Sequence, residues 1–213
     1  MDAINRSTIS SRGNAVPAHA RWGRLVILLA LFAVTLMEFL VTSANNALAD
    51  GLTAATEQQI KAAFLINFAR FTEWPARKFA DTAAPVRVGV LGRNPFGADL
   101  EVMARSTRVD DRRVQIERAD ESRALTGCHI VFISDSELRR LPQVLEALRG
   151  AGVLTVADGD GFPRSGGMVG FVREGKKVAL EINLRAAQRE MLKISSKLLG
   201  LAKLYRGPDT ALR

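Results

Sequence analysis

The sequence predicts a three-layer α/β domain. Its sheet should be mostly parallel, with a C-terminal antiparallel hairpin and helices on both faces. Three observations predict it. Short runs of Val, Ile and Leu start at Val86, His129 and Val153, nearly unbroken by polar residues, as in strands covered on both faces. Helical signals separate some of these runs, and such alternation builds right-handed crossovers. Near the end, "MVGFV" and "KVALEIN" flank "REGKK", a hairpin signature with Gly175 in the turn, so the sheet should carry an antiparallel edge.

The domain follows a leader. Arg6, Arg12, Arg21 and Arg24 precede the apolar run Leu25–Val34, which continues less cleanly to Val41. Ala47 and Ala49 occupy the −3 and −1 positions of an A-x-A cleavage site, which makes Asp50 the new first residue. Together these features read as a secretory signal peptide over residues 1–49, with a single domain over residues 50–213. Arg21 and Arg24 are separated, so the general export route is favoured over a twin-arginine one. The competing reading is an uncleaved inner-membrane anchor. Leu25–Val41 is 17 residues long, the low end of a span, and contains Glu38. A carboxylate near the bilayer centre costs about 2.5 kcal/mol or more. Cleavage is therefore favoured, with no stable membrane insertion afterwards.

Charge and cysteine content narrow the function. Removing the leader's four arginines and two acids takes the net charge from +8 to +6. The densest stretch, "RSTRVDDRRVQIER", mixes in Asp110, Asp111 and Glu117, and reads as a solvated strand-and-loop face. A nucleic-acid site needs a basic face with few opposing charges, so none is expected. Cys128 is the only cysteine, which excludes an intrachain disulfide. It precedes an apolar strand and reads as a small buried hydrophobe. One Cys and the single histidine outside the leader, His129, cannot make a zinc set, and neither a metal nor a cofactor is expected.

The elements follow in order. Thr56 and Gln59 resemble a capping box, and Glu57 suits a first helical turn. Ile60, Phe64, Phe68 and Phe71 trace one apolar stripe of that helix. Pro75 stops it, leaving Trp74 half buried at the exit. Strands follow from Val86, Arg112, His129 and Val153. "LPQVLEALRG" starts a helix at Pro142 and ends it at Gly150, with Leu138, Leu141, Leu145 and Leu148 on one face. After the hairpin, Asn183 caps a last long helix with the stripe Ala187, Met191, Ile194, Leu198 and Leu201, terminated by "RGPD".

Candidate sites are few. "LGRNPFG" follows the first parallel strand, where open α/β sheets bind ligands, but it carries no phosphate-binding glycine fingerprint. "VADGDGFPRSGG" lacks the ligand spacing of a calcium loop and reads as a flexible loop after a strand. Asn94 and Asp158 mark where a small ligand would sit at the strand ends. No G-x-S-x-G is present, His129 opens an apolar strand, and Asp110–Asp111 is not shown to converge with anything. No catalytic residue is assigned, and an enzyme is not expected.

The ordered set "KAAFLINFARFTEWP", "VGVLGRNPFG", "CHIVFIS", "LTVADGDGFPRSGGMVGFV" and "EINLRAAQREMLKISSKLLGLAK" closely resembles the YfiR family of exported bacterial proteins, over about Gln59 to Lys203. The resemblance implies a Rossmann-like α/β fold and a periplasmic, non-enzymatic regulator. Such a protein binds the periplasmic sensor part of a membrane-bound diguanylate cyclase and holds it inactive. That lowers cyclic di-GMP and biofilm formation. The resemblance also leaves a homodimer open. Some relatives carry disulfide-forming cysteine pairs, which this chain lacks. A docking surface would use aromatic anchors, and Trp74, Phe79 and Phe96 lie outside the clear helical stripes. The alternative function is a periplasmic small-ligand sensor. Polyanion or membrane-surface binding through the basic excess is a further option.

Overall fold

The computed structural model describes residues 57–207 apart from Lys176. The expected leader, its Ala47 and Ala49 site and the capping residue Thr56 lie outside the described residues.

Residues 57–71 form helix α1. Its buried face carries Lys61, Ala62, Leu65, Ile66, Phe68 and Ala69. The expected stripe is thus rotated: Phe68 is fully buried, Phe64 and Phe71 lie on the flank, and Ile60 is 42% exposed. The large side chains alone suggested the stripe, whereas Ala62 and Ala69 also lie on the face that approaches the sheet. Phe64 and Phe68 reach the ring of Phe171, with centroids 6.3 and 5.9 Å away. The helix ends at Phe71, and Thr72–Glu73 (β1) pairs antiparallel with Lys193–Ile194.

The expected strands appear as β2 (Val86–Leu91), β4 (Arg112–Ala119), β5 (Ile130–Ile133) and β6 (Leu154–Asp158), all parallel. Arg108–Val109 (β3) pairs antiparallel with β4 through a turn at Asp110 and Asp111. Val169–Glu174 (β7) and Lys177–Ile182 (β8) form the hairpin, with Gly175 at φ 61°. Ala202–Leu204 (β10) adds in parallel beyond β8. The eight-stranded order is β10-β8-β7-β6-β5-β2-β4-β3. The hairpin therefore lies inside the sheet, and the antiparallel edge is β3 at the opposite side.

Strand alternation splits the core into two layers. Ile130, Phe132, Leu154 and Val156 face α1, helix α2 (Asp99–Ser106) and helix α4 (Leu184–Arg189). Val131, Ile133, Ala157 and Leu91 face helix α3 (Leu141–Leu148), Leu125 and Phe162. This is the mixed α/β sandwich expected, Rossmann-like in its layers. In α3 the buried residues are Leu141, Val144 and Leu148. Leu138 is exposed instead, because Asp135–Arg140 is a 3-10 turn whose phase differs from that of α3.

The expected long last helix is broken. Asn183 Oδ1 does cap α4, accepting from Ala186 N at 3.0 Å. The chain then turns left-handed at Met191 (φ 59°) and forms β9 (Lys193–Ile194). It restarts as α5 (Ser196–Leu199), capped by Ser195, and ends in β10. Pairing of β9 with β1, and a hydrogen bond from Ser195 N to Phe71 O at 2.8 Å, override the helical periodicity.

Candidate functional site

The carboxyl ends of the parallel strands come first, because open α/β sheets bind ligands where the strand order reverses. Here that point lies between β2 and β5. Gly92 and Ser134 follow these strands, and Ser134 N donates to Leu91 O at 3.1 Å. The 3-10 turn Asp135–Arg140 then folds over the crevice. Ser136 Oγ accepts from Arg93 N at 3.2 Å and donates to Glu137 Oε1 at 3.1 Å. Arg140 Nε donates to Glu137 Oε2 at 2.5 Å, and its Nη2 donates to Asp120 O. A Cβ at Gly92 would stand 2.5 Å from Ser136 Oγ and 2.6 Å from Glu137 Oε1. The protein's own side chains occupy the usual nucleotide crevice.

The two expected ligand residues are engaged here. Asn94 Oδ1 accepts from Phe96 N at 3.0 Å, and Asn94 Nδ2 donates to Gly97 O at 2.8 Å, which builds the turn into α2. Asp158 pairs with Lys61 at 2.6 Å. β5 separates their strands, so the structure does not bring them together. Phe96 packs edge-on against Phe132 at 4.7 Å and is only 3% exposed, leaving no surface for a partner.

The opposite, amino end of the sheet gathers the remaining aromatics. Buried His129 precedes β5, and its backbone oxygen accepts from Trp74 Nε1 at 3.1 Å. The Trp74 and His129 rings meet edge to face at 5.5 Å. Phe79 lies 4.4 Å from the same imidazole, and the Arg112 guanidinium sits 4.2 Å over the Phe79 ring. Two of the three expected anchors thus meet, half buried, around a residue read as structural. His129 Nδ1 accepts from Arg87 N at 3.0 Å, which fixes the neutral ring with its proton on Nε2. Burial first, then Lys78, Arg87 and Arg112, pushes the imidazole down to about 4. Lys78 Nζ donates to Thr126 O and Ala151 O at 2.9 and 2.6 Å, and burial lowers its pKa.

Cys128 lies beneath this cluster. Burial, then nearby Glu117, pushes its thiol up to about 12, so it stays protonated and unreactive. Among the described residues no three His, Cys, Asp or Glu side chains group to hold a metal ion.

A groove of 560 Å³ opens beside this end, between α3 and α4. Leu145, Leu148, Val153 and Met168 line it with Arg149 and Arg189. Glu190 forms part of its wall, with Oε1 and Oε2 accepting from Gly150 N and Gly152 N at 2.8 and 2.9 Å. Sequence reasoning missed this groove, because its walls come from segments some 40 residues apart. The one local signal was Glu190, the only acid among residues 184–207.

Comparison with protein families matches residues 58–203 to the YfiR/HmsC-like model. The chain belongs to the YfiR/HmsC-like family. The match spans α1 to β10, so the aromatic cluster, the sealed crevice and the groove all lie inside the family domain. The YfiR/HmsC-like family is a regulatory one, not known as catalytic. The comparison with curated proteins finds no match.

Proposed function

We propose that this protein is a periplasmic, non-enzymatic regulator. It binds the periplasmic sensor part of a membrane-bound diguanylate cyclase and represses it, lowering cyclic di-GMP and biofilm formation. The observation that carries this reading is the family match across the described domain. Repression requires tighter binding to the inactive state of the cyclase than to the active one, since equal affinity shifts nothing. Trp74 and Phe79, with Arg112 beside them, are the aromatic anchors that remain at the surface for such docking. The test is co-purification with the cyclase from the envelope, together with cyclic di-GMP levels in a deletion strain. No rise in cyclic di-GMP on deletion, and no captured cyclase, would overturn the proposal.

The groove favours a second reading, a small-ligand sensor. Its apolar walls and two arginines suit an amphipathic anion. A ligand-induced rise in Tm, abolished by Met168→Trp, would support it.

A further inference from the structure

The seat of His129 satisfies only one of its two ring nitrogens. Nδ1 accepts from Arg87 N at 3.0 Å, which leaves the proton on Nε2. Nε2 is buried without a hydrogen-bond partner among the described residues. A buried donor left unpaired is costly, so water outside would suit this ring better. The main chain is held more firmly. His129 N donates to Arg87 O, and His129 O accepts from Leu154 N, both at 2.8 Å. β2 and β6 thus fix the backbone, while the ring depends on what packs over it.

What packs over it is one short segment. Trp74 and Phe79 lie on the imidazole, with centroids 5.5 and 4.4 Å away. The 3-10 turn Ala76–Lys78 between them buries no residue. A segment with so little buried surface opens locally at lower cost than the core. Its remaining ties are few: Trp74 Nε1 to His129 O, and Lys78 Nζ to Thr126 O and Ala151 O. The surrounding charge disfavours one more cation. Lys78 from the turn, Arg87 from β2 and Arg112 from β4 all oppose a charged imidazole. The carboxylates of this end are engaged elsewhere. Glu117 lies 3.5 Å from Arg87 Nε, Glu190 accepts from Gly150 N and Gly152 N, and Asp81 accepts from Ala83 N. Cys128, next in the chain, stays protonated.

We propose that His129 is a proton-operated latch beneath Trp74 and Phe79, so that acid releases residues 74–79 from the sheet and weakens docking there. A proton enters only at Nδ1. The new N–H then faces the N–H of Arg87, and that hydrogen bond is lost. The imidazolium is also repelled by three cations. The ring turns toward water, and Trp74 and Phe79 lose the face on which they pack. The sign follows from linkage. The open segment leaves the imidazole near its ordinary 6.5, and the closed one holds it at about 4. The opening constant therefore rises as pH falls between these values, by as much as about 300-fold. The effect on docking rests on the cyclase reading, whereas the latch itself does not.

Acrylamide quenching tests it on the protein alone. Trp22→Phe leaves Trp74 as the only indole. The expected result is a several-fold rise in the quenching constant between pH 6.5 and 4, with far-UV circular dichroism unchanged. The midpoint should match that of the His129 imidazole followed by NMR, where His19 is the only other histidine. His129→Asn should hold the quenching constant flat. A constant that stays flat in the parent protein overturns the proposal. So does one that rises only as circular dichroism is lost, rises equally in the Asn variant, or departs from the imidazole midpoint. No cyclase enters this measurement, so its failure strikes the latch alone. Failure to co-purify the cyclase at neutral pH strikes the docking reading alone.

Discussion

Lys61 Nζ lies 2.6 Å from Asp158 Oδ2 and joins the start of α1 to the end of β6 across 97 residues of sequence. The lysine side chain is only 7% exposed. Its ammonium also lies 2.7 Å from Glu57, which in turn pairs with Arg173. A buried charge that loses a partner is costly, while an amide at 158 still accepts one hydrogen bond. Asp158→Asn should therefore lower stability by about 2 kcal/mol in urea unfolding. Unchanged stability would release Asp158 from this structural duty and return it to the ligand site expected from sequence.

His129 should make stability depend on pH. Its folded pKa is pushed down to about 4 from 6.5, so between these values the unfolded chain binds more protons. Its contribution is fully present above pH 6.5 and is lost as pH falls toward 4. The ceiling is about 3 kcal/mol. Glu57 has its pKa lowered, first by its hydrogen bond from Lys61, and acts in the same direction only at lower pH, below its ordinary 4.5. His129→Asn keeps an acceptor near Arg87 N without titrating. It should flatten denaturation midpoints between pH 4 and 6.5.

Cys128 should report unfolding. Its Sγ is buried beside Leu125 and Gly89, and its thiol is protonated at neutral pH. Iodoacetamide should label the native protein only through opening, with a rate that rises in step with the unfolded fraction in urea. Prompt stoichiometric labelling without denaturant would contradict the burial.

Gly92→Ala should be among the most damaging single-methyl additions. The position holds φ 78°, and the new carbon would press on Ser136 and Glu137. A loss above about 2 kcal/mol is expected from strain and displacement together. The thermal midpoint would show it, and Gly97→Ala serves as control. Gly97 shares a positive φ but has open space around it, so it should lose less.

Asp110 and Asp111 hold φ 47° and 64° in the two-residue turn between β3 and β4. Asn-Gly suits such a turn better. Asp110→Asn with Asp111→Gly should raise stability by about 0.5 kcal/mol or more, read as a higher Tm.

Much of the fold was legible because its signals are local. The nearly continuous apolar runs of β2, β5 and β6 need only their own sequence to declare burial on both faces. Gly175 similarly declares the β7–β8 turn. What failed depended on distant partners. Residues 191–201 keep a helical spacing of apolar side chains, yet β1 claims Lys193–Ile194 as a strand partner. Ser195 and Ser196 were the available hint, as poor mid-helix residues and good caps. The site divides in the same way. Trp74 and Phe79 stood out as surplus to the stripes, and the structure joins them at His129. Phe96 looked equally surplus, but its partner Phe132 lies 36 residues away and encloses it. Glu137 sealing the crevice at Gly92 left no sequence pattern at all.

β10 runs beside β8 in register, Ala202 against Leu180 and Leu204 against Ile182, and shields the outer hydrogen-bonding groups of the hairpin. Proteolytic clipping at exposed Leu201 would strip that cover away. The bared rim of β8 would then recruit strands from other molecules, so trimmed protein should aggregate while its interior is still intact.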